Sequence, residues 1–156
     1  MHIRLLAVGE RQPAWVDEAF KTYAHRLPPE WRFELKVLST AGRSKKSSVA
    51  DAVEREGDAI LAALRPGERL VALDERGTQY STVTLADRLG RWLSGGQDLC
   101  LAIGGPDGLS GACLARAEER WSLSALTLPH GLARVLTVEQ LYRAWSLRAG
   151  HPYHRA

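Results

Sequence analysis

The sequence predicts a single α/β domain over residues 1–156, with a parallel β-sheet covered by helices on both faces. Short β-type runs alternate along the chain with stretches of helical period, and this alternation is typical of parallel sheets. The run Asp98–Ile103 (DLCLAI) is almost wholly apolar, as expected of a central strand buried on both faces. A length of 156 residues suits one domain, and the sequence shows no linker, internal repeat or low-complexity tract.

The predicted strands are short apolar runs that end at a glycine, a charged residue or a polar loop. The second of them, RFELKVL, alternates apolar and polar residues, whereas the fourth is apolar almost throughout. In chain order the five strands are His2–Val8, Arg32–Leu38, Arg69–Asp74, Asp98–Ile103 and Trp121–Leu126.

The predicted helices carry apolar residues at a spacing of three to four, and prolines or glycines end the first three of them. Pro13 opens the first helix, and Ser48 can cap the second. In chain order the five helices run from Pro13 to Leu27, from Ser48 to Leu64, from Thr82 or Thr84 to Leu93, over Ser110–Glu119 and over His130–Arg148, before the tail HPYHRA.

The carboxyl ends of the strands are where an open parallel sheet binds its ligand. Three loops leave such ends, namely Asp74–Ser81, Gly104–Ser110 and Leu126–His130. The sequence contains no phosphate-binding loop, dinucleotide fingerprint, hydrolase elbow or zinc-binding spacing. We therefore expect these loops to perform another chemistry, without a metal.

Two of these loops have unusual sequences. AIGGPDGLS follows the buried strand, and its glycines either let a ligand approach the backbone or form a tight strand-to-helix turn. SLSALTLPH alternates small polar residues with leucines before a proline. It either wraps an apolar ring and offers backbone N–H and C=O groups to the ring's edge, or is an ordinary last strand and turn.

The formal net charge of +3 is placed in a way that favours a polyanionic partner. Residues 121–156 contain four arginines and one glutamate, so this segment alone carries +3. A second basic cluster consists of Arg43, Lys45 and Lys46. A solvated surface is the alternative interpretation of both features.

Several features of the sequence favour a cytoplasmic protein. No apolar run reaches the roughly 20 residues of a membrane helix, and the N-terminus is unlike a signal peptide. The two cysteines, Cys100 and Cys113, do not form a C-x-x-C motif. We expect them to be packing thiols in a reducing compartment, and we expect no membrane partner.

Five blocks of the sequence resemble the RlmH (YbeA-type) family of ribosomal RNA methyltransferases, a branch of the SPOUT superfamily. They are HIRLLAVG, RLVALDERG, DLCLAIGGPDGLS, WSLSALTLPHGLARVLTVEQLYRAW and HPYHR. The resemblance implies a parallel-sheet SPOUT fold with a C-terminal trefoil knot, a homodimer, and S-adenosyl-L-methionine as methyl donor. The implied reaction methylates N3 of a pseudouridine in 23S rRNA, within a stem-loop of the assembled ribosome.

The resemblance also implies cofactor-binding positions in this sequence. Leu73 corresponds to a residue on one side of the adenosine pocket, and Gly104 to a glycine that contacts the cofactor. The segment that encloses adenine and methionine corresponds to Leu123, Ser124, Ala125, Leu126, Thr127 and Leu128.

Methyl transfer to an imide nitrogen requires alignment with the methyl group and a group that removes or stabilises the imide proton. His130, beside the cofactor segment, and His154, in the tail, are candidate proton acceptors. Arg155 could hold negative charge on the uracil oxygens or bind a phosphate. Tyr153 could act in proton transfer or stack on a base. The alternatives are that His130 caps the last helix and that the tail is a disordered end.

The last predicted helix is apolar around much of its girth, so we expect part of it to face a second subunit. Arg134 and Arg143 are either phosphate contacts or residues of a buried ion pair or dimer contact, with Glu139 as a nearby partner. Two rival functions remain open. One is a non-catalytic ribosome-binding protein of this fold, and the other is a SPOUT methyltransferase that acts on a different RNA site.

Overall fold

The computed structural model describes residues 1–44 and 48–155. Their five strands form one sheet of order β2-β1-β4-β3-β5, in which every neighbouring pair is parallel. This result confirms the predicted α/β fold and the central place of the fourth strand. The strands are β1 (Ile3–Val8), β2 (Glu34–Leu38), β3 (Arg69–Gln79), β4 (Leu99–Ile103) and β5 (Glu119–Ser122).

The five helices cover both faces of the sheet, as predicted. α1, α3 and α5 pack on one face, and α2 and α4 pack on the other. The helices are α1 (Ala14–Ala24), α2 (Val49–Ala63), α3 (Thr82–Ser94), α4 (Gly111–Arg116) and α5 (His130–Ala149), with 3₁₀ turns at Pro29–Trp31 and Pro152–Arg155.

The two faces have separate apolar cores, and β4 contributes to both by alternation. Leu99, Leu101 and Ile103 lie in the core under α1, α3 and α5. Cys100 and Ala102 lie in the core under α2 and α4. Because successive side chains of a strand point to opposite faces, the continuous apolar run of β4 belongs at the centre of a two-sided sheet.

Both cysteines are buried free thiols, as predicted. Cys100 is wholly buried in β4, and this burial raises the pKa of its thiol to about 12. The Cys113 thiol, on α4, donates to the carbonyl oxygen of Gly57 at 3.4 Å. These contacts are those of packing residues.

Two strands end at a different residue from the predicted one, and four strands begin one or two residues away from the predicted start. β3 continues to Gln79 instead of ending at Asp74, and it contains a bulge in which Leu73 and Thr78 both pair with Trp121. β5 ends at Ser122 instead of Leu126, because its partner β3 pairs with it only that far. The backbone from 123 to 129 is consequently irregular.

Serines begin three of the helices. Ser48 Oγ accepts the Asp51 N–H at 3.0 Å, which confirms the predicted cap of α2. The cap of α3 is Ser81, whose Oγ accepts the Thr84 N–H at 3.1 Å, and the helix begins at Thr82, the first of the two predicted starts. Ser110 caps α4 in the same way.

Within the described ranges, no helix is both long enough and apolar enough to cross a membrane. The trefoil knot and the single-domain organisation over residues 1–156 stay predictions.

Candidate active site

A cavity of about 670 Å³ opens at the carboxyl edge of the sheet, beyond β3, β4 and β5. Three segments form its walls: 73–76 from β3, 103–109 after β4, and 121–130 after β5. Ala133, one turn into α5, closes one side. The three loops that the sequence singled out therefore converge on one space.

Most of the predicted cofactor-binding residues line this cavity. Leu73 and Gly104 do so, and five of the six residues in the segment from 123 to 128 do so. The exception is Ala125, which is exposed and does not line it. The lining residues of that segment are Leu123, Ser124, Leu126, Thr127 and Leu128.

The segment from 123 to 129 is held by side-chain hydrogen bonds rather than by the sheet. Ser122 Oγ donates to the Ser124 carbonyl at 2.9 Å, and Ser124 Oγ accepts the Leu126 N–H at 2.9 Å. In the described part of the chain, the backbone of residues 125–128 makes no other hydrogen bond. Because unpaired backbone groups need partners when a ligand excludes water, this stretch suits a polar heterocycle.

Gly104 is needed by the turn itself. A Cβ on Gly104 would lie 2.6 Å from the carbonyl carbon of Gly108 and 2.9 Å from the nitrogen of Leu109. The turn is closed by a hydrogen bond from the Gly108 N–H to the Gly105 carbonyl, and Gly108 has a φ of +84°. The tight-turn interpretation therefore holds for this loop, and the same turn forms a wall of the cavity.

Arg43 fixes the glycine loop from outside. Its guanidinium pairs with Glu56 of α2 at 2.8 Å and with Asp107 at 2.8 Å. Both carboxylates raise the pKa of Arg43. Arg43 is thus engaged within the chain and is not a free phosphate contact, whereas Lys45 and Lys46 of the same predicted cluster lie outside the described residues.

His130 begins α5, and both of its ring nitrogens are engaged. Nδ1 lies 3.1 Å from the Gly104 carbonyl oxygen, and Nε2 lies 3.0 Å from Nη2 of Arg134. A carbonyl can only accept and a guanidinium can only donate, so the ring is neutral with its proton on Nδ1. Burial, followed by the charge of Arg134, lowers the pKa of His130. The cap position is Pro129, so His130 ties α5 to β4 instead of capping the helix.

Arg134 joins the last helix to the first strand. Its side chain is 2% exposed, and Nη2 donates to the Gly9 carbonyl oxygen at 2.9 Å as well as to His130. No carboxylate lies within ion-pair distance of it among residues 1–44 and 48–155. Burial lowers the pKa of Arg134. Arg134 is therefore a structural clamp, and not an exposed phosphate contact.

The predicted catalytic residues of the tail lie elsewhere, on α5. Tyr153 packs on Tyr142 with ring centroids 4.6 Å apart, and its hydroxyl donates to Glu139 Oε1 at 2.9 Å. Arg143 pairs with the same carboxylate oxygen at 2.7 Å, which confirms the ion-pair alternative for Arg143. Burial and the neighbouring Tyr23 and Glu139 raise the pKa of Tyr153. The tail is therefore an ordered turn rather than a loose end.

Distance along α5 separates this tail from the cavity. Glu139, the partner of Tyr153, follows His130 by nine residues, which is roughly 14 Å along a helix axis. Neither Tyr153, His154 nor Arg155 lines the cavity. Within one chain, the structure brings the cofactor-binding set and His130 together, but not the tail.

The predicted site residues left out two parts of the site. Asp74, Glu75 and Arg76 line the cavity, and the sequence indicated them only as part of the loop Asp74–Ser81. A second cavity of about 690 Å³, lined by residues 8–12, Thr40, Pro106 and His130, adjoins the first. Gly9, which ends β1, was the only sequence signal for it. The described ranges contain no group of three or more His, Cys, Asp or Glu residues placed to hold a metal.

The cavity lies at the carboxyl edge of a parallel sheet, has leucines and main chain in its walls, and has no phosphate-binding loop. Such a cavity suits an α/β enzyme with a nucleoside-type cofactor. Residues 1–154 match a family model described as "Predicted SPOUT methyltransferase", and the chain belongs to the SPOUT methyltransferase family. Its members transfer a methyl group, so a methyl donor is implied.

Curated relatives match the whole chain. A protein of Thioalkalivibrio sulfidiphilus is 52% identical over 155 residues, covering 99% of both chains, and one of Azotobacter vinelandii is 50% identical over 99% of this chain and 100% of its own. Both are named Ribosomal RNA large subunit methyltransferase H. A solved structure of a probable methylase family protein from Haemophilus influenzae shares the fold, with a TM-score of 0.56 and 13% identity over 97% of this chain and 69% of that chain.

Proposed function

We propose that this chain is an S-adenosyl-L-methionine-dependent methyltransferase that modifies N3 of a pseudouridine in 23S rRNA of the assembled ribosome. It acts in the cytoplasm as a homodimer. The name shared by the relatives at 50–52% identity supports the ribosomal RNA substrate. The observation that carries the proposal is the convergence of Leu73, Gly104 and the segment from 123 to 128 around one apolar cavity.

The residues present fit the proposed donor. Leucine side chains and Trp121 give the cavity apolar walls for an adenine ring. Apart from the Leu126 N–H, which Ser124 Oγ accepts, the backbone of residues 125–128 is unpaired in the described part of the chain. It offers N–H and C=O groups to the edge of the ring, which also gives Ala125 a role through its main chain. S-adenosyl-L-methionine, when bound, supplies an electrophilic methyl group on a sulfonium.

His130 acts in this proposal as a positioning residue. Its ring connects the Gly104 carbonyl to Arg134, so it sets the distance between the glycine loop and α5. Its Nε2 lone pair is already occupied, which removes it from the candidate proton acceptors in this arrangement.

The tail is proposed to supply the groups that face the imide. His154 Nδ1 contacts the His151 carbonyl oxygen, an acceptor, so the proton is on Nδ1 and the lone pair is on Nε2. Nε2 has no partner in the described part of the chain and can accept the N3 proton. Arg155 is exposed and can pair with uracil oxygens or a phosphate. Tyr153 holds the tail against Glu139.

A second copy of the chain is proposed to bring tail and cavity together, because within one chain Glu139, which holds Tyr153, lies roughly 14 Å along α5 from His130. Leu132 and Leu136 lie one turn apart on α5 and are 38% and 36% exposed, and Trp15 on the adjacent α1 is 55% exposed. Exposed apolar groups of this size favour a subunit contact. The dimer face is proposed to include these three side chains.

The test is complementation of a strain that lacks its own large-subunit methyltransferase. Expression of this chain should restore the methyl group on the pseudouridine, as detected by mass mapping of 23S rRNA, and light scattering should show a dimer. Methylation at a different nucleotide would support the alternative of a SPOUT methyltransferase that acts on another RNA site. No methylation together with no calorimetric binding of S-adenosyl-L-methionine would leave the non-catalytic ribosome-binding alternative.

A further inference from the structure

The bulge in β3 is a built part of the cavity wall. Leu73 and Thr78 both pair with Trp121 of β5, so residues 74–77 project from the sheet. Gly77 allows the projection, because a Cβ there would lie 2.7 Å from the backbone carbon and oxygen of Arg120. The three residues before it face the cavity. The bulge therefore places polar side chains at a defined position beside Leu73.

Asp74, the first residue of the bulge, has one partnered and one unpartnered oxygen. Oδ1 accepts the Arg76 N–H at 3.3 Å and lies 3.6 Å from the Arg76 guanidinium. Oδ2 is buried without a hydrogen-bond partner among the described residues, and the side chain is only 12% exposed. Buried carboxylate oxygens are almost always paired, so an unpaired one on a residue that lines a cavity indicates a missing donor.

The other acids of the cavity wall already have partners. Asp107 pairs with Arg43 at 2.8 Å, and Glu75 accepts the Thr127 hydroxyl at 3.2 Å. Asp74 is thus the acid of this wall that has an oxygen buried without a partner among the described residues. A carboxylate can only accept, so the ligand group must donate.

We propose that Asp74 recognises the ribose of the methyl donor, with its carboxylate accepting from a hydroxyl of the 2′,3′-diol once the side chain turns its unpaired oxygen toward the cavity. The inference rests on the proposed function. Arg76 balances the charge of Asp74, so the pair favours a neutral donor over the ammonium or sulfonium cation of the same molecule. The ribose is also the polar group joined directly to adenine, and Asp74 is adjacent to Leu73 in the apolar wall.

The experiment measures binding by calorimetry for the full-length chain and for Asp74→Asn, which keeps the side-chain shape. The matched control is Asp87→Asn, the same change at an exposed position of α3. The probes are S-adenosylmethionine, S-adenosylhomocysteine, 5′-methylthioadenosine, and the 2′-deoxy and 3′-deoxy forms of S-adenosylhomocysteine. A hydrogen bond to a charged group corresponds to roughly 10- to 100-fold in affinity.

Asp74→Asn should weaken the binding of S-adenosylhomocysteine and of 5′-methylthioadenosine by the same factor, about tenfold or more. Asp87→Asn should weaken the binding of neither compound. At least one deoxy form should bind the wild type about tenfold more weakly and show no further loss in Asp74→Asn. The ligand-free melting temperature of Asp74→Asn should equal or exceed that of the wild type, because an unpaired buried carboxylate is removed.

Four results would overturn the inference alone, with the wild type still binding the donor. The first is unchanged binding by Asp74→Asn, and the second is a fall in its ligand-free melting temperature, which would indicate a structural role. The third is an affinity loss confined to S-adenosylmethionine, which would indicate recognition of the sulfonium. The fourth is an affinity loss that is absent with 5′-methylthioadenosine, which would indicate recognition of the ammonium group. If the wild type binds neither S-adenosylmethionine nor S-adenosylhomocysteine, the proposed function fails as well.

Discussion

The cavity at the sheet edge and the tail on α5 differ in how they are built. The cavity has leucines, turns and unpaired backbone at its walls, all from one chain. The tail packs on α5 through Tyr153, near Glu139, and none of Tyr153, His154 and Arg155 lines the cavity. One region is suited to binding a molecule, and the other to handling charge and protons.

From this difference we predict that donor binding and methyl transfer depend on separate groups of residues. Changes in the tail should leave donor binding intact, whereas changes in the glycine loop should reduce it. Changes in Arg43 and His130, the side chains that hold the glycine loop and α5 in place, should alter the free energy of unfolding. Each prediction below tests one part of this division.

The largest expected effect is on methyl transfer after removal of the tail. A chain ending at Gly150 should lose about 10²- to 10⁴-fold in the rate of methylation of ribosomes, because the proton-handling groups are gone. Its calorimetric affinity for S-adenosylhomocysteine should stay within about threefold, while a chain ending at Arg155 serves as the matched control. Retained transfer after the deletion would show that the tail has no part in the reaction.

The glycine loop should show the opposite behaviour. Gly104→Ala puts a Cβ 2.6 Å from backbone, and such overpacking costs about 1–3 kcal/mol, so donor affinity should fall roughly 10- to 100-fold. Gly111→Ala is the control, because a Cβ at Gly111 meets nothing within 4 Å. Equal affinities of these two variants in calorimetry would argue against a tightly constrained loop.

Replacement of Arg43 should lower the free energy of unfolding rather than the affinity for RNA. Arg43→Met leaves the buried Glu56 without its cation, so the free energy of unfolding in urea should fall by roughly 1–3 kcal/mol. The salt dependence of ribosome binding should not change, whereas loss of one phosphate contact lowers its slope by about 0.7–0.9. Lys21→Met, an exposed cation on α1, is the control for loss of charge. A reduced slope for Arg43→Met alone would contradict the internal role.

The smallest effect concerns the pH dependence contributed by His130. Its pKa is lowered in the folded chain, whereas an unfolded histidine titrates near pH 6.5. Below about pH 6.5 the unfolded chain binds a proton that the folded chain does not, so His130 lowers stability on acidification, by at most about 1.4 kcal/mol per pH unit. Above that pH its contribution is constant.

Urea unfolding at pH 7.5 and 5.5 measures this effect. His130→Gln should lose less stability between the two values than the wild type, and His25→Gln, at an exposed position, should behave like the wild type. An identical loss in His130→Gln and the wild type would indicate that His130 is charged when folded.

Patterns of residues close together in the sequence were sufficient to predict most of the fold. The apolar run of β4, the alternation in β2 and the cap at Ser48 each depend on residues close together in sequence. The same is true of the convergence of three loops, because the carboxyl ends of parallel strands share one edge.

Features set by distant partners could not be predicted in this way. The end of β5 at Ser122 depends on its register with β3, and the bulge at Asp74 depends on Leu73 and Thr78 sharing Trp121. Both nitrogens of His130 are engaged only because Arg134 and Gly104 meet there. The resemblance pointed to residues that line the cavity and to residues of the tail, but their division between two places required coordinates.

The hydrogen bond from Arg134 to Gly9 spans 125 residues of sequence and bears on when the cavity can form. Closing so long a loop costs entropy that is recovered only after both ends have docked. A chain still emerging during synthesis has β1 but lacks α5, and with it the His130 wall. The cavity therefore gains its His130 wall only after α5 has been synthesised and has docked against β1.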